Sequence, residues 1–217
     1  MSRLQLSRTT GVLFIVFSIL LNIPYLLLIQ NFEYDDILRK PTEYVLTKFQ
    51  SGGTWLILTW FVFALMALLF LPASAMLGQV LSRADTPYLS TATFMGVLSS
   101  TLQSVGLMRW VFVIPILAKE YVNSTSNVRR EAIAIAYQIV HQYGGVVIGE
   151  HLGQILLVGW ILGVSIAMLH SPLFKSWVGG LGIFTVPFWM LGQSELLATV
   201  IPSTPVWEVA STRMRLA

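Results

Sequence analysis

Cysteine is absent from all 217 residues. That one gap excludes disulfides, thiolate metal sites and thiol catalysis together. Charge is scarce as well. The 13 basic and 10 acidic residues make up 11% of the chain, about half the ~25% share of a soluble domain. A formal net charge of +3 with no basic run leaves out a nucleic-acid footprint, so no nucleic-acid partner is expected. What fills the space is apolar: 55% of residues are hydrophobic and the mean hydropathy is +0.74.

That apolar content is organised in runs of bilayer-crossing length. Five spans are expected, at about 11–30, 54–77, 89–118, 146–170 and 177–201. The first run, Gly11 to Ile29, follows Arg3 and Arg8 as a signal peptide would. It is long for that role and no small-x-small cleavage site follows, so it reads as a retained span. The fold class is therefore all-α: one polytopic transmembrane domain, residues 1–217, with the lipid bilayer as its principal partner.

The links are patterned. After Pro41, residues Thr42, Val45, Leu46 and Phe49 recur at helical spacing, which predicts an interfacial helix at 41–49. Gly78 and Pro87 punctuate the short link 78–88. The third link, 119–131, contains Asn123-Ser124-Thr125, a triplet of sequon form that reads as a chance match. From Glu131 to His170 the chain runs 40 residues without proline. One straight helix of that length would measure ~60 Å, twice the hydrocarbon thickness. The expectation is an interfacial helix at 127–142 that turns at Gly144-Gly145 into the fourth span.

Five spans place links 31–53 and 119–131, with the C-terminus, on one side, here face A. Lys and Arg number eight on face A (39, 40, 48, 119, 129, 130, 213, 215) and four on the other (3, 8, 83, 175). The tendency of basic loops to stay inside then points to a cytoplasmic face A.

Ionisable side chains within spans cost ~2.5–3.5 kcal/mol each at a helix centre, so their positions carry information. They are Arg109, Glu150, His151 and Glu195, all in the face A half. Gln154, Gln193, His141 and Tyr143 lie near them, and Trp110 follows Arg109. A single convergent polar site is expected. Gly145, Gly149 and Gly153 form a small-xxx-small seam that admits a neighbouring helix. Tyr143, Glu150 and Gln154 make a stripe beside it. Arg109 is the natural partner of Glu150, as a structural staple or as part of a ligand or proton site.

His141 and His151 raise a metal or haem reading. Ten residues apart on a regular helix, they point ~80° apart, and neither H-E-x-x-H nor H-x-x-E-H is present. No metal or haem is assigned to them; hydrogen-bonded histidines fit better. His170, beside Ser171-Pro172, reads as a span end. Glu195 reads either as a third site member or as a side chain snorkelling to the interface. Of the seven tryptophans, Trp55, Trp110, Trp177 and Trp207 read mainly as interfacial anchors, with a ligand-walling Trp110 as the alternative.

The stretches "YDDILRKPTEYVLTKFQSGG", "LMRWVFVIPILAKEY" and "HQYGGVVIGEHLGQILLVGW" resemble a family of bacterial polytopic membrane proteins, the domain-of-unknown-function family 4386 (DUF4386), over about residues 11–200. The resemblance implies about six spans, a bacterial inner-membrane location and no established activity. It also implies that Arg109, Trp110, Pro115, His141, Tyr143, Gly144, Gly145, Gly149, Glu150, His151 and Gly153 belong to the family's motifs. A sixth apolar span is expected after Pro205-Val206-Trp207, where "EVASTRMRLA" stands instead; the expectation is a truncated or frame-altered C-terminus.

The functional expectation is non-enzymatic: binding or transport of a small polar or lipid-like ligand at the Arg/Glu/His site. Its rivals are an intramembrane enzyme using Glu150 and His151 as acid and base, and a structural or regulatory subunit. The last would use the glycine seam to bind a membrane-protein partner or a second copy.

Overall fold

The computed structural model describes residues 2–34, 36–83, 85–201 and 203. The described residues are helical almost throughout, with no strand among them. Helix α1 (Arg3–Phe32) starts with a capping box, Ser2 with Gln5, and ends at Glu33 in a left-handed conformation, φ 56°. A short 3₁₀ turn, Asp36–Arg39, leads to α2 (Thr42–Leu68). Then come α3 (Phe70–Leu81), α4 (Leu89–Phe112), α5 (Ile114–Asn123) and α6 (Asn127–Val140). A π-helical segment, His141–Leu152, runs on into α7 (Gly153–Leu169), and α8 (Ser176–Ala198) completes the bundle.

Four helical stretches are long and apolar enough to cross a membrane: Leu4–Phe32, Thr42–Leu81, Leu89–Asn123 and Asn127–Leu169. The fifth expected span is also a helix, α8, 23 residues long. Its Gly, Trp and Gln residues dilute its apolar character relative to the other four.

Where the chain bends departs from the sequence expectation. The expected hinge at Gly144-Gly145 does not form. The chain passes through both glycines as continuous helix, widened so that the Gly153 amide donates five residues back to the Ile148 carbonyl. The backbone hydrogen bonds are kept rather than broken. The first limb of this long helix, α6, packs on the rest of the bundle by burying Ile133 and Tyr137. The left-handed glycine among the described residues is instead Gly53, φ 57° and ψ −152°, inside α2. It separates the expected interfacial segment, which begins at Thr42, from the membrane limb that follows. Two further breaks fall at prolines: Leu69 precedes Pro72, and Val113 (φ −111°) precedes Pro115 at the first turn of α5. So 54–77 and 89–118 are each two helices.

Helix α4 is central, packed on α2, α3, the π segment and α7. Three hydroxyls fix it there. Ser99 donates to the Gly153 carbonyl (2.7 Å), Ser100 to Ala67 (2.8 Å) and Ser104 to Ala64 (2.9 Å). Such hydroxyl bonds, worth about 0.6 kcal/mol each in membranes, set the register of α4 against α7 on one side and α2 on the other.

Two apolar cores result. The first, toward face A, gathers Phe32, Phe49, Trp60, Trp110, Ile114 and Tyr137. Here Trp60 and Trp110 stack at 4.8 Å and 11°, with Phe49 on the other side of Trp110 at 5.8 Å and 24°. The second holds Phe70, Leu81, Leu89, Trp160 and Val164 toward the opposite end.

Candidate functional site

Between these two cores lies a small polar chamber of about 120 Å³, walled by Tyr34, Phe63, Gln103, Arg109, Glu150 and Gln154. Its construction begins with the glycines. A Cβ built on Gly106 of α4 would come within 2.6 Å of the Gly149 Cα, so the two backbones touch directly. One turn away, a Cβ on Gly145 would clash with the Arg109 guanidinium, 2.4 Å from its carbon. The seam thus faces α4, and the space a side chain would fill at 145 is occupied by Arg109.

Arg109 is 7% exposed. Its Nη1 donates to the Gly106 carbonyl at 2.6 Å, and its Nη2 lies 4.0 Å from Glu150 Oε1. The Arg109 Cζ also stands 5.3 Å from the centre of the Trp110 ring. Its Nε, buried, has no hydrogen-bond partner. Arg109 and Glu150 therefore do come together, in long contact rather than as the bidentate fork a guanidinium can form. Glu150 is more open, its side chain 29% exposed.

The other expected members disperse. His151 turns away to Gln193, Nδ1 to Oε1 at 3.0 Å, and the Gln193 amide donates to Gln154 Oε1. This relay joins the π segment, α7 and α8, and Gln154 links it to the chamber wall. Glu195 does not enter the site: its carboxylate lies 3.8 Å from Arg39 Nη2, across the link after α1. Tyr143 is 64% exposed and leaves the Glu150–Gln154 stripe, because the wider π turn shifts side chains off the 3.6-residue spacing that placed it there.

Trp110 is fully buried. It belongs to the first core and serves as neither an interfacial anchor nor a chamber wall. His141 stacks on Tyr137 (5.5 Å, 15°) and meets the edge of Trp110 (6.3 Å, 74°). It and His151 thus engage different neighbours. Among the described residues no group of three or more His, Cys, Asp or Glu gathers as metal ligands. Trp55 and Trp177 are 62% and 64% exposed. Trp207, Arg213, Arg215 and the expected sixth span lie outside the described residues.

Sequence reasoning missed Gln103, whose Nε2 donates to Ser99 Oγ at 2.8 Å, and Tyr34, a chamber wall from the first link. Gln103 carried a readable signal, an amide inside an apolar span. Tyr34 carried none, since only the tertiary fold brings it beneath α4.

These helices and their buried polar contacts define a polytopic α-helical membrane bundle. A family model described as "Domain of unknown function (DUF4386)" matches residues 9–214. The chain belongs to this family. No curated protein and no solved structure matches it.

Proposed function

We propose that the protein binds, and through binding carries or senses, a small ligand with a polar head at the Arg109–Glu150 chamber. One observation carries this reading: a guanidinium buried in the bundle and a partly open carboxylate, 4.0 Å apart, line one small cavity. A purely structural staple gains most from a close, fully hydrogen-bonded geometry; this pair stands in long contact at a cavity. Intramembrane ionisable residues that face a bundle interior mark ligand or ion pathways by default.

His151 and Gln193 hold the wall of the chamber through Gln154, as positioning residues. The location that fits is a bacterial inner membrane, as the family resemblance implies. The excess of basic residues at the face A links favours a cytoplasmic roof.

The test is native mass spectrometry of the gently solubilised protein, wild type beside Glu150→Gln and Arg109→Gln. A co-purifying small mass lost in both variants, with unfolding temperatures near wild type, supports the chamber. The same bound mass in all three proteins would rule the chamber out as its site.

A further inference from the structure

A second cavity adjoins the chamber. Phe63, Gln103 and Leu107, which line the chamber, also line this cavity of about 280 Å³. Its remaining walls are nearly all apolar: Phe17 and Leu21 from α1, Phe70 from α3, Leu157 from α7 and Trp189 from α8. The hydroxyl within it, Ser100, is already spent on the Ala67 carbonyl. Phe70 is held edge-on against Trp160 at 4.8 Å and 77°, a fixed wall. The outer side is different. Phe17, Leu21 and Leu157 are half-buried and Trp189 is 38% exposed, so the groove opens sideways between α1 and α8. In a bilayer that opening faces lipid chains.

Resting on the chamber reading above, we propose that the ligand is a single-chain amphiphile with an uncharged, hydrogen-bonding head, entering from the membrane. Charge complementarity selects the head. The chamber holds one formal cation and one formal anion, so a ligand with net charge would leave one of them without its balance in low dielectric. A hydroxyl or acid-form carboxyl both accepts, from the Arg109 guanidinium, and donates, toward the Glu150 carboxylate. Volume selects the tail. Both cavities lie below the ~300–1,000 Å³ usual for ligand pockets, which suits one chain and not two. The exposed outer rim selects the route, since a chain sliding in from lipid never crosses water.

The experiment uses the full chain in nanodiscs and a 1-acylglycerol carrying a photoactivatable diazirine in mid-chain. Cross-links are mapped by peptide mass spectrometry. Labelling should concentrate on Leu21, Leu157 and Trp189, and unlabelled 1-oleoylglycerol should compete it away. Leu21→Trp, at the half-open rim and checked for a wild-type unfolding midpoint, should weaken capture at least about tenfold, the equivalent of losing contact with about two methylenes.

Glycerol monobutyrate has the same head and a four-carbon chain. If it displaces the probe as well as 1-oleoylglycerol does and Leu21→Trp has no effect, the tail groove is overturned while the chamber stands. Labels scattered over outward residues such as Ile15 and Ile19, uncompeted, would overturn the groove as well. Displacement by an anionic lysolipid in preference to the acylglycerol would overturn the uncharged head. Undiminished labelling in a folded Arg109→Gln protein would instead sink the chamber reading itself.

Discussion

Arg109 and Gly145 meet without room for a side chain between them: a β-carbon on residue 145 would stand 2.4 Å from the guanidinium carbon. The arginine is therefore held as much by the absence of a side chain opposite as by its own bonds to Gly106 and Glu150.

Gly145→Ala consequently forces Arg109 out of its seat. The backbone can adopt helical angles with alanine, so the cost is overpacking, about 1–3 kcal/mol. Thermal unfolding in detergent should register it as a clear drop in midpoint. Gly180→Ala is the control, since a Cβ there meets nothing within 4 Å. Equal midpoints for the two variants would mean that Arg109 does not occupy that space.

The Arg109–Glu150 pair is separated by 4.0 Å, so its coupling should be modest. A double-mutant cycle with Arg109→Ala and Glu150→Ala should return ~1 kcal/mol of interaction. The single Arg109→Ala change should cost more than that coupling, because it also empties the space between α4 and the π segment. A coupling of zero would show that the two side chains are independent.

The two classes of tryptophan should part company. Trp110, fully buried between Trp60 and Phe49, should lose ~3–5 kcal/mol on truncation to alanine. Trp177, 64% exposed, should lose under about 0.5 kcal/mol. Comparable losses from both in chemical unfolding would contradict the buried stack.

At face A, Glu33 accepts hydrogen bonds from Lys48 Nζ (2.9 Å) and Tyr44 Oη (2.8 Å). The Lys48 bond first, then that of Tyr44, holds its carboxyl below the ordinary glutamate value. A depressed folded-state value means that the contribution is present at neutral pH, above the unfolded value. It fades as pH falls through the folded one. The group is well exposed, so solvent screening limits the effect to about 0.5 kcal/mol. Stability measured from pH 7 down to the carboxylate range should fall slightly less steeply in Glu33→Gln. An unchanged slope would show that Glu33 has no such partners.

How much of this could be read in advance divides by physical cause. Helix class and spans were legible because apolar runs of bilayer length have few alternatives. The meeting of Arg109 with Glu150 was legible because costly residues in apolar runs must find each other. The breaks at Leu69 and Val113 were signalled by Pro72 and Pro115 and could have been placed. Gly144 and Gly145 misled because glycine serves two ends, bending a backbone and letting one approach. Here the close approach of α4 needs Gly145 and Gly149, while a Cβ on Gly144 would meet only the Arg109 Cδ at 3.9 Å, and Gly53 supplies the left-handed bend. Tyr143 and Trp110 were misplaced for different reasons. The first was put on an α-helical period that the π segment does not follow. The second was judged by its distance along the chain from a span end, while its surroundings come from α1 and α2.

The π segment also makes the roof and the membrane wall a single shaft. Helix α6, the widened turns and α7 run from Asn127 to Leu169 without a break. His151, Glu150 and Gly145 all sit on the wide turns, with Tyr137 and His141 at the roof end. The roof end and the chamber wall are thus parts of one continuous helix, with no hinge between them.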